Sequence, residues 1–153
     1  MTHTRARGRS LWPHRLALVT AASTLMLIFV GGLVTNTGAG LAVPDWPTTF
    51  GYNMFLYPWS QMVGGVFYEH SHRLIGSIVG LLTMALALVL WLKESGRLAR
   101  WLGAAAVGAV VIQGVLGGLR VILVSAGSEL ALIHGLLAQA FFALTVTLVV
   151  CTS

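Results

Sequence analysis

Four apolar runs, roughly Leu16–Val34, Leu74–Leu92, Trp101–Val124 and Leu130–Val150, divide this chain of 153 residues. Each is close to the about 20 residues that a helix needs to cross the hydrocarbon of a bilayer. With 57% of its residues hydrophobic and only 8% charged, the chain is too apolar for a soluble domain of its length. The expected fold is all-α: an integral membrane four-helix bundle, a single membrane domain over 1–153, with a structured extracytoplasmic loop between helices 1 and 2.

The basic residues sort by topology. Arg5, Arg7, Arg9 and Arg15 precede the first run, and Lys93, Arg97 and Arg100 fill the connection between the second and third, whereas the other two connections hold only Arg73 and Arg120. Cytoplasmic connections carry the excess of Lys and Arg. Both termini are therefore expected in the cytoplasm of a multi-pass protein of the inner (plasma) membrane, with the long loop before Glu69 and the short one around Ser125 to Ser128 facing outward. The net charge of +5 is not gathered into a basic patch with interleaved aromatics, so nucleic acid is not an expected partner and membrane lipid is. An arginine-rich start before an apolar run also has the form of a secretory signal. The run is longer than the usual signal core and no small-residue cleavage site follows it, so the first span is expected to be retained. The one cysteine, Cys151, allows no internal disulfide and is read as a packing residue.

Between the first and second spans the chain is rich in Trp, Tyr, Phe, Pro and Gly. Aromatic side chains favour the membrane interface, but a belt of anchors does not account for Asp45, set between Pro44 and Pro47. This connection is expected to form an ordered cap.

It ends on Glu69-His70-Ser71-His72-Arg73, at the mouth of the second apolar run. Ionisable groups at the edge of hydrocarbon are costly, and by default they mark a ligand, a proton path or a substrate site. His72, Gly76 and Gly80 follow one another at i, i+4 and i+8 on one helix face. The glycines let either a neighbouring helix or the edge of a flat macrocycle come close. The third span is rich in glycine, at 103, 108, 114, 117 and 118, which predicts a backbone surface packed against something bulky. Its Gln113 is expected to make an interhelical hydrogen bond. His134 enters the fourth span near its start, as His72 enters the second, so the two imidazoles are expected at similar depth; a neutral, hydrogen-bonded histidine is the alternative for His134.

Helix bundles build cofactor sites from side chains that face one another across the core. One imidazole from each of two spans is the donor set for a haem held on both faces, with His72 and His134 as axial ligands of the iron. Zinc would need a third ligand, for which only Glu69 or His70 at the loop edge is at hand. Arg73 and Arg120, the two cations on that side, suit haem propionates, because arginine pairs with carboxylates bidentately. Arg73 also stands at i+4 from Glu69, so Glu69 is either half of an ion pair or an acid/base group beside the cofactor.

Glu69-x-x-His72-Arg73, Thr37-Gly38-Ala39-Gly40-Leu41 leading into Pro44-Asp45-Trp46-Pro47, and His134 at the start of the fourth span resemble, in this order, the haem A synthase family. The resemblance implies that His72 and His134 are the paired haem ligands of the amino-terminal half, with Arg73, Gly76 and Arg120 around the cofactor. It implies that Glu69 is the family's functionally important glutamate, a catalytic candidate. The implied activity is the oxygen-dependent oxidation of a methyl group of haem O to the formyl group of haem A, through the hydroxymethyl haem, beside the haem O synthase that supplies the substrate. Many bacterial members carry a cysteine pair around the Pro-Asp-Trp-Pro segment, where this chain has Val43 and Thr49. Typical members have eight spans in two similar halves, the second holding a haem b. This chain corresponds to the first half, so it is expected to be a fragment, or a short form that pairs with itself or with another half. Two further readings stay open: a b-type cytochrome subunit passing electrons from an unidentified donor through a bis-histidine haem, and a small transporter or structural subunit without cofactor.

Overall fold

The structure, a computed structural model, describes residues 11–93 and 96–153. Arg5, Arg7 and Arg9 of the charge argument lie outside the described residues. Four helices account for most of the rest: α1 (Trp12–Asn36), α2 (Gly65–Lys93), α3 (Arg97–Ile122) and α4 (Gly127–Thr152). All four are long and apolar enough to cross a membrane, and the chain is a multi-pass membrane protein. Each helix is apolar all round, with large side chains such as Phe29, Leu81, Leu88, Leu132 and Leu136 left on the outside for lipid to cover. Pro13 lies in the first turn of α1, where its missing N–H costs nothing. The buried hydroxyls of Thr20, Thr24, Thr83 and Thr152 bond back to the carbonyl four residues earlier, at 2.7–2.8 Å, so these hydroxyls are satisfied within their own helix.

α1 packs on α2 and α4, and α3 packs on the same two, which sets α2 and α4 diagonally across the bundle. The core is made of Ala17, Val79, Leu86, Leu90, Ala99, Ala106, Phe141 and Leu148, and Cys151 packs at its rim. Small residues let the backbones approach, as membrane helices without a hydrophobic driving force require. At Gly103 a Cβ would come within 2.9 Å of Leu90 and 3.4 Å of the Ala87 backbone. At the end of the bundle away from the long connection, His14 Nδ1 lies 3.3 Å from the Val149 carbonyl and ties α1 to α4.

The helix boundaries differ from the apolar runs most at α2, which begins at Gly65 rather than at Leu74. Hydropathy marks where a chain becomes apolar, not where its backbone becomes helical. Glu69 and His70 are buried although polar, because the connection before them folds back and supplies their partners.

That connection, residues 37–64, contains two 3-10 turns, Met54–Leu56 and Trp59–Gln61. Asp45 nucleates a tight turn by accepting from the N–H groups of Phe50 (2.7 Å) and Gly51 (2.9 Å) and from the Thr48 hydroxyl. Gly51 sits at φ +78°, where glycine carries no Cβ penalty. Tyr57 packs its ring against Phe50, Tyr52 and His70, and the Thr49 hydroxyl lies 3.1 Å from His70 Nδ1.

Most of the hydrogen bonds between the connection and α2 are made by one side chain. Arg73 donates to the carbonyls of Asp45 (2.7 Å), Thr48 (3.1 Å) and Val43 (3.0 Å) and to Glu69 (2.8 Å). The other Glu69 oxygen accepts from the Val43 N–H at 2.8 Å. Trp46 completes the docking by laying its indole on Gly118 of α3, where a Cβ would fall within 2.7 Å of the ring.

Removing one partner of a buried, hydrogen-bonded ion pair costs about 3–5 kcal/mol. Arg73→Ala is expected to lower thermal stability in detergent by that order and to speed amide exchange at Val43, Phe50 and Gly51; unchanged exchange there would contradict the assignment. Asp45 gives a pH dependence. Burial pushes its carboxyl up, but the bonds from Gly51, Thr48 and Phe50 outweigh this and hold it below its ordinary value. A depressed carboxyl stabilises the fold in full above its unfolded-state value and loses that contribution as the pH falls through the folded-state value. Protection of the Phe50 and Gly51 amides is therefore expected to persist at neutral pH, to disappear only below the ordinary carboxylate range, and to be weakened at every pH in Asp45→Asn.

Candidate functional site

Beneath this connection two imidazoles point into the bundle from the diagonal pair of helices. His72 lies about two turns into α2 and rests its ring on Gly31 of α1, where an added Cβ would fall 3.0 Å from Cε1 and 3.5 Å from Nδ1. A Cβ there would make the ring give way by a few tenths of an ångström. One turn along α1 the main-chain carbonyl of Leu27 lies near the ring. The Nδ1 atom of His72 is buried without a hydrogen-bond partner, the one side-chain nitrogen or oxygen in that condition among the described residues. An orphaned polar atom costs about 1–3 kcal/mol and asks for an explanation.

His134 of α4 lies in a similar place but less tightly: its Cε1 is an ordinary 3.5 Å from where a Cβ of Gly117 would stand on α3, and the main-chain carbonyl of Gln113 lies near its ring. Each imidazole thus lies in a notch made by a glycine, against the carbonyl of the residue four positions before that glycine. The two rings are near enough for a charge on one to act on the other. The expected interhelical bond of Gln113 is made to His134: with its amide oriented to satisfy both sides, it donates to His134 Nδ1 at 3.0 Å.

Arg120, in the last turn of α3, is near both histidines. Its guanidinium lies against Gly40 of the connection, where a Cβ would fall within 2.8 Å of Cζ. Among the described residues it makes no hydrogen bond or ion pair, so its positive charge is uncommitted. Arg73 is placed differently, with four donors on the connection and on Glu69. Glu69 lies about one turn from His72, towards the connection, with both oxygens engaged by Val43 and Arg73. Gly76 is one turn further along α2 from His72 and would present a Cβ to Leu27 at an ordinary 3.9 Å, while a Cβ at Gly80 would meet open space.

The structure therefore brings together His72, His134 and Arg120, and sets Glu69 and Arg73 beside them as the anchor of the cap. Sequence reasoning passed over Gly31, named Gly40 and Trp46 only within motifs without giving them a contact, and left Gln113 without its partner. The signal for the glycines was faint: a glycine near the end of an apolar span that faces a span with a histidine.

The cytochrome oxidase assembly protein family matches residues 14–150 of this chain. Among similar proteins, the "Heme A synthase" of Shouchella clausii is 35% identical over 130 residues, covering 83% of this chain and 42% of that protein. The "Heme A synthase" of Alkalihalophilus pseudofirmus is 31% identical, with 83% and 42% covered, and that of Methylobacterium radiotolerans is 26% identical, with 72% and 36% covered. The chain thus spans about two fifths of the length of the relatives it matches. No solved structure matches it. On a match that runs through all four spans and includes both histidines and the cap, the chain belongs to the cytochrome oxidase assembly protein family.

Proposed function

We propose that this chain is the haem-binding amino-terminal half of a haem A synthase, in which His72 and His134 would hold the haem iron and a methyl group of haem O would be the group oxidised, to the formyl of haem A. The observation that carries the reading is the pair of imidazoles on diagonal helices, one of them with a buried, unpartnered nitrogen. Such an atom fits a metal ligand: a ring nitrogen buried with no partner in the protein is what a histidine awaiting a metal would present. When bound, the iron supplies the one-electron and oxygen chemistry that side chains lack.

The residues around it have separable tasks in this reading. Arg120 offers its uncommitted charge to a propionate. Gly76 leaves room beside His72 for the macrocycle's edge. Arg73, fixed to the connection, acts on the cofactor through the cap it holds, which excludes water from that end of the bundle. Glu69 stands beside the site as the acid/base candidate, and its bond to the Val43 N–H couples it to the same cap.

The reaction would need dioxygen as the oxidant, electrons from a donor to help reduce it, haem O from a haem O synthase, and a second half, or a second copy, carrying haem b. The single domain over 1–153 corresponds in this reading to the first half of an eight-helix protein. Arg15, Lys93, Arg97 and Arg100 lie at one end of the bundle and Arg73 and Arg120 at the other. That division supports an inner-membrane orientation with both termini in the cytoplasm and the cap outside.

One observation favours a second reading. Both Glu69 oxygens are held by structural bonds, which suits a b-type cytochrome subunit that passes electrons and needs no acid/base group. Glu69→Gln separates the two: in cells that supply the rest of the pathway, haem stays bound while haem A formation collapses if the chain belongs to the enzyme, and an electron carrier is indifferent.

His72→Ala and His134→Ala are each expected to abolish the low-spin haem spectrum of the purified chain, and full retention of that spectrum in either variant would sink the reading. Arg120→Leu removes one charge-assisted contact of about 1.5–3 kcal/mol, so haem is expected to bind roughly 10- to 100-fold more weakly with its axial ligation intact. Extraction and chromatography of the bound pigment is expected to yield haem O or its hydroxylated form; haem B alone would favour the cytochrome.

A further inference from the structure

The turn that opens the connection is held at both ends. Ala39, at its start, donates its N–H to the Val34 carbonyl of α1 (2.9 Å), and the Ala42 N–H closes the turn on the Ala39 carbonyl (3.0 Å). Next comes Val43, whose N–H bonds Glu69 and whose carbonyl accepts from Arg73. Ala39 and Val43 are buried. Ala39 and Ala42 also pack on Gly65 at the start of α2, where an added Cβ would fall 3.5 and 3.0 Å from their methyl groups. Gly40 lies inside this turn, so its backbone has little freedom to move.

The group that faces Gly40 is the opposite case. An added Cβ would overlap Nη2 of Arg120 and stand 2.8 Å from Cζ and 3.2 Å from Nη1. These atoms are the far end of a long side chain that makes no hydrogen bond or ion pair among the described residues. No bond therefore fixes where the charge stands, and the surface of the turn does. Gly40 is not one of the glycines at positive φ, which are Gly38, Gly51 and Gly64, so its backbone admits alanine. What it supplies is space. Gly118 differs in this respect: a Cβ there would stand 2.5 and 2.7 Å from Cε2 and Cε3 of Trp46, atoms of a rigid ring that the connection itself carries.

We propose that Gly40 is a positioning residue: the turn around it sets the place of the Arg120 guanidinium, and through it how tightly the site holds a carboxylate of its ligand. Arg120 is near both His72 and His134, so a displacement of its charge is felt where the ligand would lie. A methyl group at position 40 leaves the turn in place and pushes the guanidinium aside, because the turn is bonded at both ends and Arg120 is not. The cap then has a second task besides closing its end of the bundle, since its docking brings the uncommitted cation to the site. The inference rests on the reading that Arg120 meets a carboxylate of the haem.

The test measures the affinity of wild type, Gly40→Ala, Arg120→Leu and the double variant for iron protoporphyrin IX. Arg120→Leu is expected to weaken binding roughly 10- to 100-fold through loss of one charge-assisted contact, and Gly40→Ala by a large part of that factor. Substitutions that act through one contact do not add, so Gly40→Ala is expected to cause no further loss in the Arg120→Leu background. Losses that multiply, or wild-type affinity in Gly40→Ala, would overturn the proposal. Two measurements without haem exclude other causes. The guanidinium Nε–H NMR signal of Arg120 is expected to shift in Gly40→Ala and to stay in place in Gly108→Ala, where an added Cβ meets nothing within 4 Å; an unmoved signal in Gly40→Ala would also overturn the proposal. Amide exchange at Phe50 and Gly51 is expected to remain that of the wild type in Gly40→Ala and to speed up in Gly118→Ala, which displaces Trp46. Faster exchange in Gly40→Ala would mean that the connection itself had moved, and the proposal would fail. A wild-type chain that takes up no haem, or an Arg120→Leu variant that binds it as tightly as wild type, would overturn the haem reading of Arg120 instead, and the Nε–H signal would still decide whether Gly40 places the guanidinium.

Discussion

One guanidinium holds the loop end of this molecule together. Arg73 collects three carbonyls from a stretch with little regular structure of its own and adds the carboxylate of Glu69 from the turn before it. A connection of this length would otherwise carry unsatisfied backbone groups into a poorly hydrated region, where each is expensive. The planar fork of arginine suits the task, since its donors diverge to several acceptors in fixed directions. Glu69 neutralises the charge and takes the Val43 N–H as well, so the pair closes on itself and can be buried.

The site below depends on this closure. Because the connection is pinned at Val43, Asp45 and Thr48, Trp46 is carried onto Gly118 and Gly40 is carried over Arg120. Both contacts need the absence of a Cβ, and both constrain the last turns of α3, from which Arg120 reaches the two histidines. Glycine works here as a seat for a flat group: an indole on Gly118, a guanidinium on Gly40 and an imidazole on Gly31. In a lipid environment, where apolar surfaces gain little by meeting one another, such close fits are a main source of specificity.

The four spans were legible from length and hydropathy alone, and the match of α1 to α4 with the apolar runs is close everywhere except at the start of α2. There the polar residues Glu69 to Arg73 obscured the helix, because their partners lie in a connection distant in sequence and no local pattern announces them. The paired histidines were visible because ionisable groups in apolar spans are rare. The i, i+4 relation of Glu69 and Arg73 was likewise visible and is formed. The direction of Arg73 was not, since a charge at a helix mouth can turn inwards or towards the cap with equal ease on paper. Gly31 was hidden for a different reason: a glycine within an apolar run is common, and its importance comes only from the ring that another helix lays upon it.

The notches at Gly31 and Gly117 have a bearing on assembly. Each imidazole is seated by the helix that precedes it in the chain, α1 for His72 and α3 for His134, so each helical hairpin carries a finished half of the donor set before it meets the other. Hairpins enter a bilayer readily as units, and nothing in either needs the other to orient its own ring. What the second hairpin contributes is the opposing face. A group ligated by both rings would then act as a clasp between two independently inserted pieces, and its uptake would report that they had docked.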